Sequence, residues 1–319
     1  MKALQFVNFM DAFKHYHAIV NAHYDDKLAL SMLQLCAFLS GQIESLEQPY
    51  QAIYNHYKND PDFLGMYAFF YCHVNRQSEA AELIKQGLAI EPHNAWLQHI
   101  YAHALNENEP EQIQQGIKFL EARVNDWPKQ SRFFEGHNSM HLAILYLKAG
   151  YDTKLILELF PTRIWGTAKE FSFEQNNAFL VLFALDLVGY DHSLINIGRT
   201  SWQATRKTLF IDYFTPYLTV TAILSVAKTD PDKAKLAIDA FAHHAANFKP
   251  DSPAYYAWHT IALPVLQGCF AYMQCNDRLA CEYLAPVYNK TRVMGHSDEQ
   301  RSVFPAIYNA VKHSLENKL

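Results

Sequence analysis

Residues 61–92 read PDFLGMYAFFYCHVNRQSEAAELIKQGLAIEP, and this stretch decides the fold. Its apolar residues recur three and four positions apart, first over 62–74 and again over 77–90, which is the spacing of a buried helix face. Proline between two acidic residues opens the first run, as is common in the first turn of a helix. Small residues lie where two such helices would cross: Ala68, Ala80 and Gly87. The stretch therefore predicts two antiparallel helices that pack closely.

The same helical spacing continues through the rest of the 319 residues, and segments with the alternation of a strand are few. It predicts about sixteen helices, most of them joined by the short loops typical of antiparallel neighbours. Three of these are expected near 138–149, 191–206 and 253–274. Two longer connections are expected at 127–137 and 161–172. No low-complexity linker divides the chain, which favours a single helical repeat domain over 1–319, clearest over 61–147.

Helix start and stop signals agree with this interpretation. Proline beside acidic residues indicates three helix starts, at Asp60, Glu109 and Asp230. Glycine followed by tyrosine and aspartate indicates two helix ends, at Gly150 and Gly189, where a left-handed residue would close the helix.

The composition excludes several classes of function. A formal net charge of −5 and an isoelectric point near 6.3 give no basic surface for nucleic acid. The longest apolar runs, 28–39 and 178–189, are interrupted by polar residues and too short to span a bilayer, so no membrane association is expected. Five cysteines at spacings that match no zinc motif predict reduced thiols in a cytoplasmic protein. The sequence also lacks a phosphate-binding glycine loop and a serine nucleophile elbow.

A frame of about 34 residues that begins at Pro61 matches the tetratricopeptide repeat pattern. The matching residues are Leu64, Tyr67, Ala68 and Tyr71 in the first helix, and Ala80, Ile84 and Gly87 in the second. Looser matches follow near 102–116, 143–146 and 268–286. The repeat predicts an α-α superhelix, a tetratricopeptide-repeat-like solenoid of about eight helical hairpins.

Four segments resemble the tetratricopeptide repeat protein 38 family more closely. They are LGMYAF at 64–69, AWLQHIYAH at 95–103, HNSMHLA at 137–143 and APVYNK…GHSDEQRSVF at 285–304. The resemblance covers roughly residues 47–310 and implies a superhelix of divergent repeats with a defined C-terminal loop. It implies no particular activity, because the family has no established general one.

The chain departs from the family pattern in three places. Ser139 and Met140 stand where two aromatic residues are usual. Residues 217–219 read Tyr-Leu-Thr in place of Asp-x-His, and 295–297 read Gly-His-Ser where the family has Gly-Gly-Ser-His. If these polar residues form a reaction centre in the family, this chain lacks part of it.

Two histidine pairs carry the most chemistry in the sequence: His99 with His103, and His137 with His141. Imidazoles four residues apart share one face of a helix, a spacing that suits joint binding of a metal such as zinc. The repeat frame places His73, His99, His103 and His137 at positions that face a concave groove, and His141 nearer the packed side. The alternatives are histidines that orient a bound ligand by hydrogen bonds, and histidines that serve packing alone.

A second group of candidates lies in the C-terminal loop. His296 and Arg301 have the polar reach to contact a ligand there, while Ser297 is expected to cap the final helix. The aromatic residues expected to supply contact area are Phe69, Trp96 and Tyr101.

The sequence thus predicts a binding protein whose concave, histidine- and aromatic-lined groove recognises a peptide, a partner protein or a small ligand. The alternative is a metal-dependent or histidine-based enzyme with its site at the two histidine pairs. Neither pair has a carboxylate in helical register, and no HExxH motif accompanies them.

Overall fold

The structure is a computed structural model that describes residues 9–105, 109–165, 172–189, 213–227 and 230–317. Every regular element in these ranges is helical, which confirms the predicted all-α fold. The helix predicted at 191–206 lies outside the described residues. Contacts between residues divide the chain into a first unit, residues 7–181, and a second that holds residues 182–319. The single repeat domain over 1–319 and its superhelix stay predictions.

The first unit contains the clearest repeat and both histidine pairs. Its helices are α1 (Phe9–Ala22), α2 (Lys27–Ser40), α3 (Glu47–Tyr57), α4 (Pro61–His73), α5 (Gln77–Ile90), α6 (Ala95–Ala104), α7 (Pro110–Glu121), α8 (Trp127–Gln130), α9 (Arg132–Lys148), α10 (Lys154–Leu159) and the part of α11 (Ser172–Leu187) up to Val181. A 3-10 turn at Ile43–Leu46 and a π-helix at Phe160–Ile164 complete it. Helix α4 packs on α5, and α6 packs on α4, α5 and α9.

The predicted hairpin is the α4–α5 pair. Ala68 and Ala80, the small residues expected at the crossing, are fully buried. A Cβ added at Gly87 would lie 2.8 Å from Leu97 Cδ1, so α5 and α6 approach too closely for a side chain there. Ala68 and Ala80 are therefore buried as the sequence indicated, whereas Gly87 sets the spacing between α5 and α6 and not that within the hairpin.

Capping follows the sequence signals with one exception. Asp60 accepts hydrogen bonds from the backbone of the first turn of α4, and Asp230 caps the helix that follows it. Glu109 makes no side-chain cap bond. Gly150 and Gly189 have φ values of 69° and 72°, the left-handed conformation expected at a helix end.

The loop predicted at 127–137 is wrong. Residues 127–130 form α8, with Pro128 in its first turn, and α9 already begins at Arg132. Proline is well suited to a first helical turn, and only the extended Ser131 separates the two helices. The helix expected at 138–149 is α9, and it therefore begins six residues earlier than predicted, at Arg132. This change places His137 within a regular helix rather than at the end of a loop.

The second predicted loop and one long helix also differ from expectation. A π-helix at Phe160–Ile164 occupies the start of the connection expected at 161–172. The helix expected at 253–274 contains a π-helix at Tyr256–Ala262. Pro264 lies two residues after the π-helix. Because proline has no N–H, it cannot donate the regular helical hydrogen bond to the carbonyl oxygen of residue 260. A π segment is one way for a helix to accommodate that loss.

The second unit is helical as well. After the end of α11 come α12 (Pro216–Ala227), α13 (Pro231–Ala246), α14 (Pro253–Tyr255), α15 (Leu263–Met273), α16 (Asp277–Leu284), α17 (Asp298–Arg301) and α18 (Val303–Glu316), with a 3-10 turn at Thr291–Met294. Phe241 and Trp258 lie in its core with ring centroids 5.5 Å apart. Within the described ranges, the helices fall short of the length and apolarity that a membrane span requires.

Candidate metal centre

Helices α6 and α9 position the two histidine pairs. Asn94 caps α6 by accepting a hydrogen bond from Leu97 N at 3.0 Å, which fixes the start of the helix one turn before His99. Helix α9 packs directly on α6. Since residues four apart point in nearly the same direction from a helix, each pair projects as a unit toward the other helix.

The four imidazoles converge on one point. Each of His99, His103, His137 and His141 offers one ring nitrogen, and these four nitrogens all lie within 4.8 Å of one another. The Nε2 atoms of His99 and His103 are 2.8 Å apart, so one imidazole donates its N–H to the other. Across the two helices, the ring centroids of His99 and His137 are 4.6 Å apart, as are those of His103 and His141.

This cluster is buried, and that differs from the predicted groove surface. The exposed fraction is 6% for His137 and 4% for each of the other three. His141 was expected nearer the packed side than the other three, but all four are similarly enclosed and His141 lies within the cluster. The physical reason is that one helical turn separates His137 from His141, so both stay on the same face of α9 whatever repeat frame is applied.

Asn177 on α11 orients one of the four rings. Its side-chain oxygen lies 2.9 Å from His137 Nδ1, and because an amide oxygen only accepts, the imidazole nitrogen must donate. Nε2 of His137 then carries the lone pair. A hydrogen bond to the far nitrogen is the usual way in which a metal-binding histidine is held in the correct tautomer and orientation.

The surroundings keep His99 uncharged. Burial lowers its pKa well below the ordinary value of 6.5, and His103, His137 and His141 lower it further because a second positive charge beside them is unfavourable. Neutral imidazole is the form that binds a metal. The buried Nδ1 of His99 has no hydrogen-bond partner among the described residues, so the polar bonding of this ring is incomplete.

The donor set selects a class of metal. Among the described residues, the group contains imidazole nitrogens only. Imidazole suits zinc, copper, iron and nickel, whereas magnesium and calcium require oxygen ligands. The residues present therefore fit a first-row transition metal.

Aromatic rings enclose one side of the cluster. Trp96 lies 5.1 Å from His99 between ring centroids, and Phe134 lies 6.1 Å from it. Phe133 stacks on His137 at 5.5 Å. Phe69, one of the aromatic residues predicted from the sequence, is buried 5.9 Å from His103. These rings limit the access of water to the imidazoles.

Two other residues predicted as groove contacts lie outside the set of four. His73 is buried with its ring 5.7 Å from His103 and 4.2 Å from Phe69, so it flanks the cluster. Tyr101 stacks on Phe119 at 4.0 Å and is half-buried. Tyr101 follows His99 by two residues, and residues two apart do not share a helix face. Its side chain therefore points away from the histidine face of α6.

His296 and Arg301 belong to the second unit. His296 Nε2 lies 3.1 Å from Thr215 Oγ1, and Arg301 donates to the Gly295 carbonyl at 2.7 Å, to the His296 carbonyl and to Asp298. Both side chains are buried, and the guanidinium bonds hold the loop that precedes α17. Ser297 is a cap, as predicted, and forms a reciprocal capping box with Gln300, but the helix that it opens is the short α17 and the final helix α18 begins separately at Val303.

Three residues of the centre were missed in the sequence. Asn177 has a recognisable signal, because Gln175, Asn176 and Asn177 form a polar run inside an otherwise apolar helix, and all three are buried. Phe133 and Phe134 have no such sequence signal, because their segment was predicted to be a loop. No known protein family model matches the chain, and no solved structure does.

Proposed function

We propose that the first unit is a metal-binding module in which His99, His103, His137 and His141 hold one transition-metal ion. The observation that carries this proposal is the convergence of four buried ring nitrogens within 4.8 Å of one another. Four imidazoles that bring their ring nitrogens this close together supply the number and type of ligands that a transition-metal ion takes. A metal ion would use one ring nitrogen from each of the four histidines, and it binds imidazole in the neutral form.

The ion would join α6 to α9, the two helices that carry the histidine pairs. Four imidazoles fill a tetrahedral shell, which is the arrangement of a structural zinc site. Iron, cobalt, nickel and copper also accept five or six ligands, and with four imidazoles they would retain a position for water or substrate. The metal-dependent enzyme predicted as an alternative from the sequence belongs to this second case. Zinc is the first metal to test, because closed four-ligand sites are characteristic of it.

The groove-recognition function stays a prediction. Phe69 and the four histidines, expected to contact a peptide or partner, are buried against one another, and this observation favours the metal centre. Membership of the tetratricopeptide repeat protein 38 family and a cytoplasmic location are likewise proposals, supported by the sequence motifs and by the all-α fold.

The test is equilibrium dialysis of metal-free protein against zinc, with the bound metal measured by elemental analysis. We expect one ion per chain in the wild type. His103→Gln should lower the affinity by about 100-fold or more, the effect of losing about 2.7 kcal/mol. His93→Gln is the matched control, because the His93 side chain is 76% exposed and is not one of the four clustered histidines. Equal zinc affinity in the wild type and His103→Gln would refute the proposal.

A further inference from the structure

An ion that binds the four histidines needs a route to them. None of the four is more than 6% exposed, and aromatic rings cover one side of the cluster. A metal site enclosed in this way exchanges its ion only where a side chain moves aside, so the wall of the cluster must contain a movable element.

A surface cavity lies on the far side of one of those rings. Its volume is about 270 Å³, and it is lined by Lys27, Ser31, Gln34, Asp62, Met66 and Trp96. The exposed Ser31 and Asp62 belong to its mouth, and the buried Gln34 and Met66 to its floor. The cavity is large enough for several water molecules, and therefore for a partly hydrated ion.

Trp96 is the residue that this cavity shares with the surroundings of the histidine cluster. Its indole lines the cavity and also lies 5.1 Å from the His99 ring. On α4 the indole rests against Gly65, where an added Cβ would be 2.6 Å from Trp96 Cδ1. Any side chain at Gly65 would therefore displace the indole. One aromatic ring thus lines the cavity and also contacts a predicted ligand.

The position of Trp96 in its helix allows it to move. It is the second residue of α6, directly after the Asn94 cap and Ala95. Side chains inside a helix are restricted by the turn that precedes them, and at the second position that turn is missing. Trp96 is also half-buried, whereas Phe69 behind it is buried. A change of its rotamer would connect the cavity with His99.

We infer that the cavity is the entrance to the metal centre and that Trp96 is its gate. The inference rests on the proposed metal-binding function and adds its route of loading. A gate has a kinetic signature: the observed loading rate stops rising with metal concentration once it reaches the rate at which the gate opens. Removing the gate accelerates binding and release together, so that the affinity changes much less than either rate.

The test uses stopped-flow mixing of metal-free full-length protein with cobalt(II), followed by its visible absorption, and chelator-driven release. Trp96→Ala should raise both rates by about tenfold or more while the dissociation constant changes by about threefold or less. Ser31→Trp, which fills the mouth, should slow loading by a similar factor. Leu35→Trp is the matched control on the same helix, because Leu35 is exposed and does not line the cavity. It should load like the wild type.

Several results would overturn the inference. Unchanged rates in both Trp96→Ala and Ser31→Trp exclude this route. Faster loading in Phe134→Ala but not in Trp96→Ala assigns the gate to the neighbouring Phe134, whose ring centroid is 6.0 Å from that of Trp96. An affinity loss in Trp96→Ala without faster release shows that the indole only packs against His99. In all three cases equilibrium binding of cobalt persists and the proposed metal centre stands. If the wild type binds no cobalt at equilibrium, the proposed function itself fails, and the gate with it.

Discussion

His137 donates its Nδ1 proton to the side-chain oxygen of Asn177, 2.9 Å away, and this bond joins α9 to α11 next to the four-histidine cluster. The bond fixes the tautomer that leaves His137 Nε2 available to a metal. Asn177 is only 2% exposed, so no water can easily replace its oxygen.

Asn177→Ala should therefore weaken metal binding without removing a ligand. Loss of a hydrogen-bond partner to a ligating histidine typically lowers metal affinity by about 10- to 100-fold, and we expect a zinc affinity reduced in that range. Asn177→Asp is the matched variant. A carboxylate accepts the same hydrogen bond from His137 Nδ1 and makes Nε2 a stronger electron-pair donor to the metal. Competition with a chelator of known affinity measures both. An alanine variant that binds zinc as tightly as the wild type would show that the bond has no role in the centre.

The sequence predicted the helical fold and the four ligand candidates, and it failed where tertiary contacts decide. Helical spacing and the small residues Ala68 and Ala80 correctly indicated a close hairpin, because these signals are local; Gly87, predicted in the same crossing, lies against Leu97 of α6. The burial of His99 was not predictable in this way. A repeat frame specifies which face of a helix points to the groove, but the rings that fill that space come from other helices.

Two further differences have the same origin. Glycine and proline between residues 127 and 137 are ordinary loop signals, yet α8 and the start of α9 accommodate both within helices. Asn177 is 40 residues from His137, and no periodicity connects them. Helical spacing therefore identified the four candidate ligands, while the orientation of their rings depends on contacts between distant segments.

Ala68→Leu should destabilise the first unit. Ala68 is fully buried at the α4–α5 crossing, so the larger side chain must displace its neighbours. Overpacking of this kind costs about 1–3 kcal/mol in the free energy of unfolding. Urea denaturation followed by circular dichroism measures the change. Leu28→Ala is the control, because Leu28 is 73% exposed on α2 and its truncation should have little effect. An unaltered midpoint in Ala68→Leu would contradict the repeat frame.

His244 should make the second unit sensitive to acid. Burial lowers its pKa below the ordinary value of 6.5, and its ring is stacked at 3.8 Å on Tyr213 and lies 5.0 Å from Trp258. The unfolded chain therefore takes up the proton at a higher pH than the folded one. Stability contributed by neutral His244 is complete above the unfolded pKa and falls as the pH drops below it.

The measurement compares unfolding midpoints at about pH 7.5 and about pH 5.5, a window that brackets the unfolded histidine pKa. His244→Gln should lose less stability between the two pH values than the wild type does. The neighbouring His243→Gln serves as the control, and we expect it to behave like the wild type. Equal losses in the wild type and His244→Gln would exclude this residue as the source of acid sensitivity.

Zinc should raise the thermal stability of the wild type, because the four-histidine cluster exists only in the folded protein. Free zinc at about 100 times the dissociation constant would add about 2.7 kcal/mol to the free energy of unfolding. For a unit of this size each kcal/mol corresponds to about 2–4 °C, so the midpoint should rise by roughly 5–10 °C. A chelator should reverse the shift completely.

Replacing all four histidines by glutamine removes the ligands, and the midpoint of that variant should not respond to zinc. Differential scanning calorimetry of both proteins, with and without zinc, decides the matter: an equal response would mean that zinc acts elsewhere on the chain.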